Sequence, residues 1–376
     1  MLLAVALSVA LTGGAGQPRG FDFGDPSPPD FTDAKQVKVY TTGGEILSWP
    51  RGPKESPLEY LLAGQSAKHE RLRVAHADGT PFDAEVAGED VWDPTVERSL
   101  ENPNELILYA GAMKPNVGHS NAEWPQDNWR RRTFAFKKKS GVWIMSAKPL
   151  FDDPTNDTDE GSWVGHNYGH AFLKDEKGNT FVFYERVTEE RDGLPWTTEI
   201  FARRMVSSLK ADKKEIPVLR LPRSKAGLAR SWPAAQRAFG GALLEGPRPF
   251  KIGAYYFISF SAGDYTSDDY GIHLAWSTSL TGPYEPYLTP TADDLLNFGE
   301  TLESETQRLT WGAARGSFFE ANGKWWVLYH GIDENRPRLG AYIEDGLRDV
   351  YLAPVTIKPR PNRRDGSPPF EILLGH

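Results

Sequence analysis

The sequence predicts an all-β protein built from repeated small antiparallel sheets, and three observations support this prediction. Glycine (36 residues) and proline (29 residues) are abundant in a chain of 376 residues, which indicates many turns between short elements. Short runs of β-branched and aromatic residues recur along the chain and end in Tyr or Phe. Their final aromatic residues lie 69 to 76 residues apart, as expected for an array of similar units.

Five of these runs predict buried strands. They are 36–40 (QVKVY), 105–109 (ELILY), 179–184 (NTFVFY), 254–260 (AYYFISF) and 324–329 (KWWVLY). A further strand is predicted after a loop in each unit, at 72–76, 133–136, 199–203, 272–277 and 339–343. Each unit is therefore a sheet of three or four strands, and five such sheets arranged radially form a five-bladed β-propeller. An all-β sandwich with coincidental spacing is the alternative.

The first twenty residues differ in character from the rest of the chain. Met1–Leu11 is apolar and is followed by small residues, which predicts a secretory signal within residues 1–20, although a basic segment before the apolar run is missing. A short apolar N-terminus with no targeting role is the other interpretation. Residues 21–376 are predicted to form one propeller domain, secreted or periplasmic and monomeric. The apolar run is too short to span a bilayer.

Composition excludes several classes of function. The formal net charge of −8 argues against a nucleic-acid partner, which requires a basic face. The chain has no cysteine, so disulfides, thiolate nucleophiles and cysteine-ligated zinc are excluded. His166, His273 and His330 are predicted to be structural, and no histidine pair has the spacing of a metal motif. We expect no cofactor and no bound metal.

A second regularity points to a site. In a propeller the innermost strand of each blade lines a central channel, where ligands bind at one mouth. About fifteen residues before the final aromatic of each unit lie Asp25, Asp93, Gly169–His170, Glu245 and Ala314–Arg315. Three of these five positions are carboxylates, a pattern that indicates acid/base chemistry or a metal. An Asp-Pro pair is also a common turn starter, and this is the alternative for Asp25 or Asp93 taken alone.

The stretch from Leu244-Glu245-Gly246-Pro247 to Pro283-Tyr284 resembles the fourth blade of glycoside hydrolase family 43. The resemblance extends to Gly24-Asp25-Pro26-Ser27 and to residues 324–331 (KWWVLYHG). It implies a glycosidase acting on polysaccharides or oligosaccharides of the arabinose, xylose or galactose type. By the same resemblance Asp25 is the general base and Glu245 the general acid. Carboxylates facing each other across a channel suit the wide separation that gives inversion.

The chain departs from the family at two positions. An Asp expected in the third blade is absent, and residues 167–170 (NYGH) stand there, so the residue that tunes the acid is either His170 or Asp93. Arg315 stands where the family usually has a His near a central ion, and it is expected to bind substrate hydroxyls or to keep Asp25 ionised.

Aromatic side chains beside the inner strands are candidates for stacking on sugar rings. They are Trp92, Trp163 and Trp311. Because the expected third-blade Asp and fifth-blade His are missing, a carbohydrate-binding propeller without catalysis is the first alternative. A transglycosylating or phosphorolytic relative is the second.

Overall fold

A computed structural model describes most of the strand-rich part of the chain. The described residues are 37–40, 61–65, 72–76, 81–87, 89–113, 132–140, 142–151, 167–188, 197–220, 244–263, 271–287, 310–321, 323–333, 348–360 and 367–374. Within these ranges the regular elements are all strands, which confirms the predicted all-β class for this part of the chain. The same ranges hold no helix with the length and hydropathy to cross a bilayer.

Twenty-one strands occur in the described residues. In chain order they are β1 Val37–Tyr40, β2 Leu61–Gln65, β3 Leu72–His76, β4 Pro81–Ala87, β5 Glu89–Arg98, β6 Leu106–Met113, β7 Arg132–Lys139, β8 Val142–Met145, β9 Asn167–Lys174, β10 Thr180–Thr188, β11 Thr197–Ser207, β12 Lys210–Ala211, β13 Ile216–Leu219, β14 Glu245–Ile252, β15 Tyr255–Ala262, β16 Gly271–Ser277, β17 Glu285–Pro286, β18 Thr310–Ala321, β19 Lys324–Asp333, β20 Arg348–Pro359 and β21 Phe370–Leu374.

The strands form four sheets in the described residues. The first has the order β2-β3-β4-β8-β7-β6-β5, and its β4–β8 pair is parallel. The second has the order β12-β11-β10-β9 with β13 beside β11, and the third has the order β14-β15-β16-β17. The fourth has the order β1-β20-β19-β18 with β21 beside β20. Apart from β4–β8, the pairs in the described residues are antiparallel, and antiparallel strands that follow one another can be joined by short hairpins.

The edge strands β5, β9, β14 and β18 lie against one another in that order. Each is the first strand of an antiparallel meander, and the next strand of each meander carries the repeated aromatic residue. Those aromatics are Tyr109, Tyr184, Phe260 and Tyr329, all buried. The sequence repeat therefore marks equivalent places in four sheets whose first strands meet.

The first of the five repeated runs is not equivalent to the others. Val37–Tyr40 forms β1, which pairs with β20 at the edge of the fourth sheet instead of standing second in a sheet of its own. A short run of β-branched and aromatic residues suits an inner or an edge strand equally, so its partner is decided by tertiary contacts. The predicted strand 339–343 lies outside the described residues, and the five-bladed closure stays a prediction.

Neighbouring sheets pack through apolar clusters on both of their faces. In β15, Ile258 and Phe260 enter a cluster shared with Phe183 and Ile200 of the second sheet. Phe257, on the opposite face of β15, enters a cluster with Phe318 and Val327 of the fourth sheet. Side chains that alternate along a strand point to opposite faces, so a run of apolar residues is required where both faces are covered.

The first and second sheets are also joined by a polar contact between two turns. Glu101, after β5, accepts hydrogen bonds from the backbone N–H of Ser208 (2.8 Å) and from its hydroxyl (2.5 Å), and a third from the Ser99 hydroxyl (2.9 Å). Burial raises the pKa of the Glu101 carboxyl, but the hydrogen bonds from Ser208 and Ser99 outweigh it and lower this pKa to about 2. The Tyr109 hydroxyl donates to the Ser208 carbonyl at 2.9 Å.

We expect Glu101→Gln to lower the free energy of unfolding at pH 7 by about 1 kcal/mol, since charge-assisted hydrogen bonds at a largely exposed site are partly screened by water. A group whose pKa is lowered by folding stabilises the protein above its unfolded pKa and stops doing so as pH falls through the folded pKa. The difference between wild type and variant, measured by urea unfolding, should therefore be largest at pH 7 and shrink towards pH 2.

The matched control is Glu105→Gln, because Glu105 is an exposed carboxylate of the same connection. We expect this change to alter the free energy of unfolding by less than about 0.5 kcal/mol. A Glu101→Gln effect that is equally large at pH 7 and pH 2 would contradict a role for the ionised carboxylate.

Candidate active site

The first strand of each of the four meanders carries an extra residue at the place that the sequence offset marks. The pairing of β5 with β6 shifts between Trp92 and Thr95, and that of β9 with β10 shifts opposite Tyr184, at Gly169–His170. The pairing of β14 with β15 shifts between Glu245 and Arg248. In β18 the pairing with β19 shifts on both sides of Ala314. Such bulges turn side chains and backbone N–H groups away from the sheet ladder, and they are common beside active sites.

Glu245 is the first residue of β14 and is partly buried. The preceding residue, Leu244, is held against β11 because its N–H donates to the Thr198 hydroxyl at 2.6 Å and its carbonyl accepts from that hydroxyl at 3.1 Å. On the other side of β14, Glu245 is paired with Ser261 of β15. The backbone of Glu245 is therefore fixed from two neighbouring strands.

Gly246 follows Glu245 in the bulge and has a left-handed backbone with φ of +57°. Its N–H donates a hydrogen bond to the Glu185 carboxylate. On its other side lies the Arg315 side chain, whose Cγ would be 2.9 Å from a Cβ atom at position 246. Only glycine adopts this positive φ without strain and leaves room for the Arg315 side chain.

Glu185 reaches this place from β10 and is completely buried. Gly169, in the bulge of β9, has φ of +68°, and a Cβ atom there would lie 2.6 Å from Oε2 of Glu185. The same Cβ position is 3.2 Å from Cδ of Pro247. The carboxylate of Glu185 thus occupies space that a side chain at position 169 would otherwise take.

Arg315 lies in the double bulge of β18 and is 6% exposed. Its φ is +53°, a left-handed conformation that is costly for a residue with a Cβ atom and that is concentrated at functional sites. Its backbone N–H donates to the Ser261 hydroxyl at 2.8 Å. Because Ser261 is also the pairing partner of Glu245, one residue of β15 is adjacent to both.

His170 lies in the interior between three strands and is completely buried. Its Nε2 atom is 2.5 Å from the Thr133 hydroxyl. Its carbonyl accepts hydrogen bonds from the Thr95 hydroxyl at 2.6 Å and from Nη1 of Arg248 at 2.9 Å. These contacts tie β5, β9 and β14 together around the bulge of β9.

The structure brings Glu245 and Arg315 together, with His170 in the strand next to β14. Asp25 and Trp163 lie outside the described residues. For Asp93, Trp92 and Trp311 the described part is the backbone: Asp93 lies in the bulge of β5, and the two Trp residues lie in β5 and β18. The roles predicted for these residues stay predictions.

The predicted structural histidines have different outcomes. His273 is 1% exposed and its ring stacks on Phe260 with 5.8 Å between ring centroids, which agrees with a structural role. His330 lies in β19, where its backbone is described, and His166 lies outside the described residues. In the part of the chain that the structure describes, no three His, Asp or Glu side chains come close enough together to hold a metal ion.

The sequence offset did not find Glu185 or Arg248, both of which lie at the site. Glu185 directly follows the repeated aromatic Tyr184, so it appears in the sequence as the polar end of a strand. β10 however continues to Thr188, and Glu185 is therefore an interior strand position. The strand-forming residues Val187 and Thr188 after Glu185 were the signal available in the sequence.

Sequence similarity to a known protein family agrees with this geometry. The sequence model described as "Glycosyl hydrolases family 43" matches residues 172–360, which is half of the chain and includes Glu185, Glu245 and Arg315. The chain belongs to glycosyl hydrolase family 43. This agrees with the resemblance found in the motif around Glu245.

One curated relative of this family 43 chain is the non-reducing end alpha-L-arabinofuranosidase BoGH43B of Bacteroides ovatus. The two are 28% identical over 213 residues, which cover 51% of this chain and 35% of the relative. The chain thus matches about a third of that relative's length.

Two solved structures show the same fold. An alpha-L-arabinofuranosidase from Lactobacillus brevis superposes with a TM-score of 0.56 at 14% identity, covering 85% of this chain and 91% of that one. A thermostable family-43 glycoside hydrolase superposes with a TM-score of 0.55 at 17% identity, covering 85% and 90%.

The glycine after Glu245 provides a test of the site's packing. Gly246→Ala should lower the free energy of unfolding by about 2–4 kcal/mol, because it adds left-handed strain and a clash with the Arg315 side chain. Gly253→Ala is the matched control: its φ is +56°, and nothing lies within 4 Å of its Cβ position. The control should cost about 1 kcal/mol, from strain alone.

Urea unfolding of both variants at pH 7 measures the difference. Equal losses in the two variants would contradict a close approach of Arg315 to Gly246.

Proposed function

We propose that the protein hydrolyses glycosidic bonds and that Glu245 is the general acid of the reaction. The observation that carries the proposal is the placement of a partly buried carboxylate on a bulged strand end, beside a buried arginine, in a chain of family 43. A general acid gives a proton to the leaving oxygen, and a carboxyl group is the usual donor in glycoside hydrolysis.

In the proposed reaction, Glu245 gives its proton to the oxygen of the leaving sugar as the bond from the anomeric carbon to that oxygen breaks. A water molecule attacks the anomeric carbon from the opposite face, and a second carboxylate accepts its proton. Asp25 is proposed for this general base. The products are a reducing sugar from the cleaved residue and the leaving sugar with a free hydroxyl group. The configuration at the anomeric carbon is inverted when the two carboxylates are about 6.5–9.5 Å apart.

Arg315 is proposed to bind substrate hydroxyls next to the acid. The guanidinium group is always charged and offers several donors in one plane, which suits hydroxyl and carboxylate oxygens. Its left-handed backbone and its contact with Gly246 keep the side chain at the site before substrate arrives. Binding energy is then not needed to order the side chain.

The substrate class proposed is an arabinose- or xylose-containing polysaccharide or oligosaccharide. The name of the Bacteroides ovatus relative, an alpha-L-arabinofuranosidase, supports the arabinose part of this proposal. We further propose that a fifth blade closes the propeller. Four meanders whose first strands meet in series, together with the pairing of β1 with β20 near the other end of the chain, support that closure.

Glu245→Gln should lower kcat on an arabino- or xylo-oligosaccharide by about 10²- to 10⁴-fold, the usual contribution of a general acid. A 4-nitrophenyl glycoside of the same sugar has a leaving group that needs little protonation, so its kcat should fall much less. The measurement is steady-state kinetics of wild type and Glu245→Gln on both substrates, after a panel of glycans has identified the sugar.

Two results would contradict the proposal. Equal losses on the oligosaccharide and the nitrophenyl glycoside would remove Glu245 from the acid role. Binding of glycans by wild type without hydrolysis of any member of the panel would favour the carbohydrate-binding alternative. The configuration of the first product, read by NMR before mutarotation, separates inversion from retention.

A further inference from the structure

We propose that Glu185 is the positioning residue of this site: its buried carboxylate holds the Gly246 amide, fixes the acid-bearing turn and provides the third carboxylate next to Glu245. The inference rests on the proposed glycosidase function. It assigns to β10 a role that the family pattern expects from the third-blade strand β9.

The first observation is the cost of placing a carboxylate there. Glu185 is 0% exposed, and an ionisable side chain is rarely buried completely unless its charge is used or compensated. Its Oε2 atom accepts the N–H of Gly246, the residue that follows the proposed acid. A hydrogen bond from a backbone amide to a carboxylate is stronger than one between neutral groups, so it fixes the bulge firmly.

The second observation is the match between Glu185 and Gly169. The carboxylate lies where a side chain at position 169 would begin, 2.6 Å from the Cβ position. Position 169 belongs to the stretch in which the resembling family has an Asp. Because position 169 of β9 is a glycine, the carboxyl group of Glu185 on the neighbouring strand β10 occupies the space that a side chain at position 169 would take.

The strands that meet around the Gly246 turn carry charged and titratable residues. β14 contributes Glu245 and the buried Arg248, β18 contributes Arg315, and β9 contributes His170. On β11, the residue paired with Glu185 is the apolar Ile200. An arginine near a buried carboxylate favours its charged form, and a negative charge on Glu185 would disfavour ionisation of the neighbouring Glu245. Glu185 therefore acts on the reaction through the geometry and the protonation of Glu245.

The direct test compares Glu185→Ala and Glu185→Gln on an arabino- or xylo-oligosaccharide. Alanine removes both the hydrogen bond and the charge, and kcat should fall about 10²-fold with KM within threefold, because a misplaced acid affects the chemical step. Glutamine keeps an oxygen that accepts the Gly246 N–H but loses the charge. Its kcat at the optimum should fall less than in the alanine variant, and the basic limit of the kcat/KM profile should move about one pH unit lower.

The matched control is Glu199→Gln. Glu199 is a buried carboxylate of the adjacent strand β11, and it forms an ion pair with Arg220 at 3.2 Å. We expect this variant to keep its kcat within threefold of wild type and its pH profile unmoved. Melting temperatures of all variants separate loss of folding from loss of the chemical step.

Returning the carboxylate to β9 gives a second, independent test. Gly169→Asp alone should abolish most activity, since its Cβ atom would meet the Glu185 carboxylate. In the double variant Gly169→Asp with Glu185→Ala, the space is free and Asp tolerates a left-handed backbone better than most residues. This double variant should recover at least about tenfold in kcat over Glu185→Ala, an interaction that independent sites do not show.

The results distinguish this inference from the proposed function. If wild type hydrolyses no glycoside, the proposed function fails, and the inference that rests on it falls too. If wild type is active and Glu185→Ala lowers only the melting temperature, with unchanged kcat and pH profile, Glu185 is a structural residue. If Asp93→Asn moves the basic limit downward and Glu185→Gln does not, Asp93 is the third carboxylate and the inference is overturned.

Discussion

The N–H of Gly246 points out of its sheet towards the carboxylate of Glu185, and the Arg315 side chain lies against the opposite side of the same residue. The rest of the site depends on this packing, because it fixes the backbone immediately after Glu245. A residue with a Cβ atom at position 246 would be strained at φ of +57° and would displace Arg315. One glycine therefore connects a carboxylate of the second sheet, the candidate acid of the third sheet and an arginine of the fourth.

Several buried charged residues lie around this point, between large apolar clusters. Glu185, Arg248 and Arg315 are all nearly or completely buried, while large clusters of Phe, Ile and Val fill the spaces between the sheets. Replacing such charges with apolar side chains is often neutral or stabilising, so they are weak contributors to stability. Their retention is understandable where a transition state develops charge, because groups fixed in advance stabilise it without reorganising.

The bulges in β5, β9, β14 and β18 lie at the positions that the sequence offset marked. Each meander begins with a strand that loses its register at the same distance from a buried aromatic on the following strand. A bulge frees backbone groups and turns side chains out of the ladder, so the four strands can present different residues from equivalent positions. Similar units thus supply a site that is not itself symmetric, with Glu245 from one strand and Arg315 from the next.

The sequence by itself determined the all-β class and the strand around each repeated aromatic, because strand periodicity is encoded by neighbouring residues, and local motifs pointed to Glu245 and Arg315 as site candidates. It did not determine that Val37–Tyr40 pairs with β20 or that Glu185 meets Gly246, since both contacts join residues that are distant in the chain. Burial of Glu185 is a property of four strands packed together, and a strand-end pattern such as Tyr184-Glu185 carries no record of it. Only the tertiary structure decided which carboxylate lies next to the candidate acid. Gly169 leaves the space on β9, and the Glu185 side chain that occupies it comes from a different strand, β10.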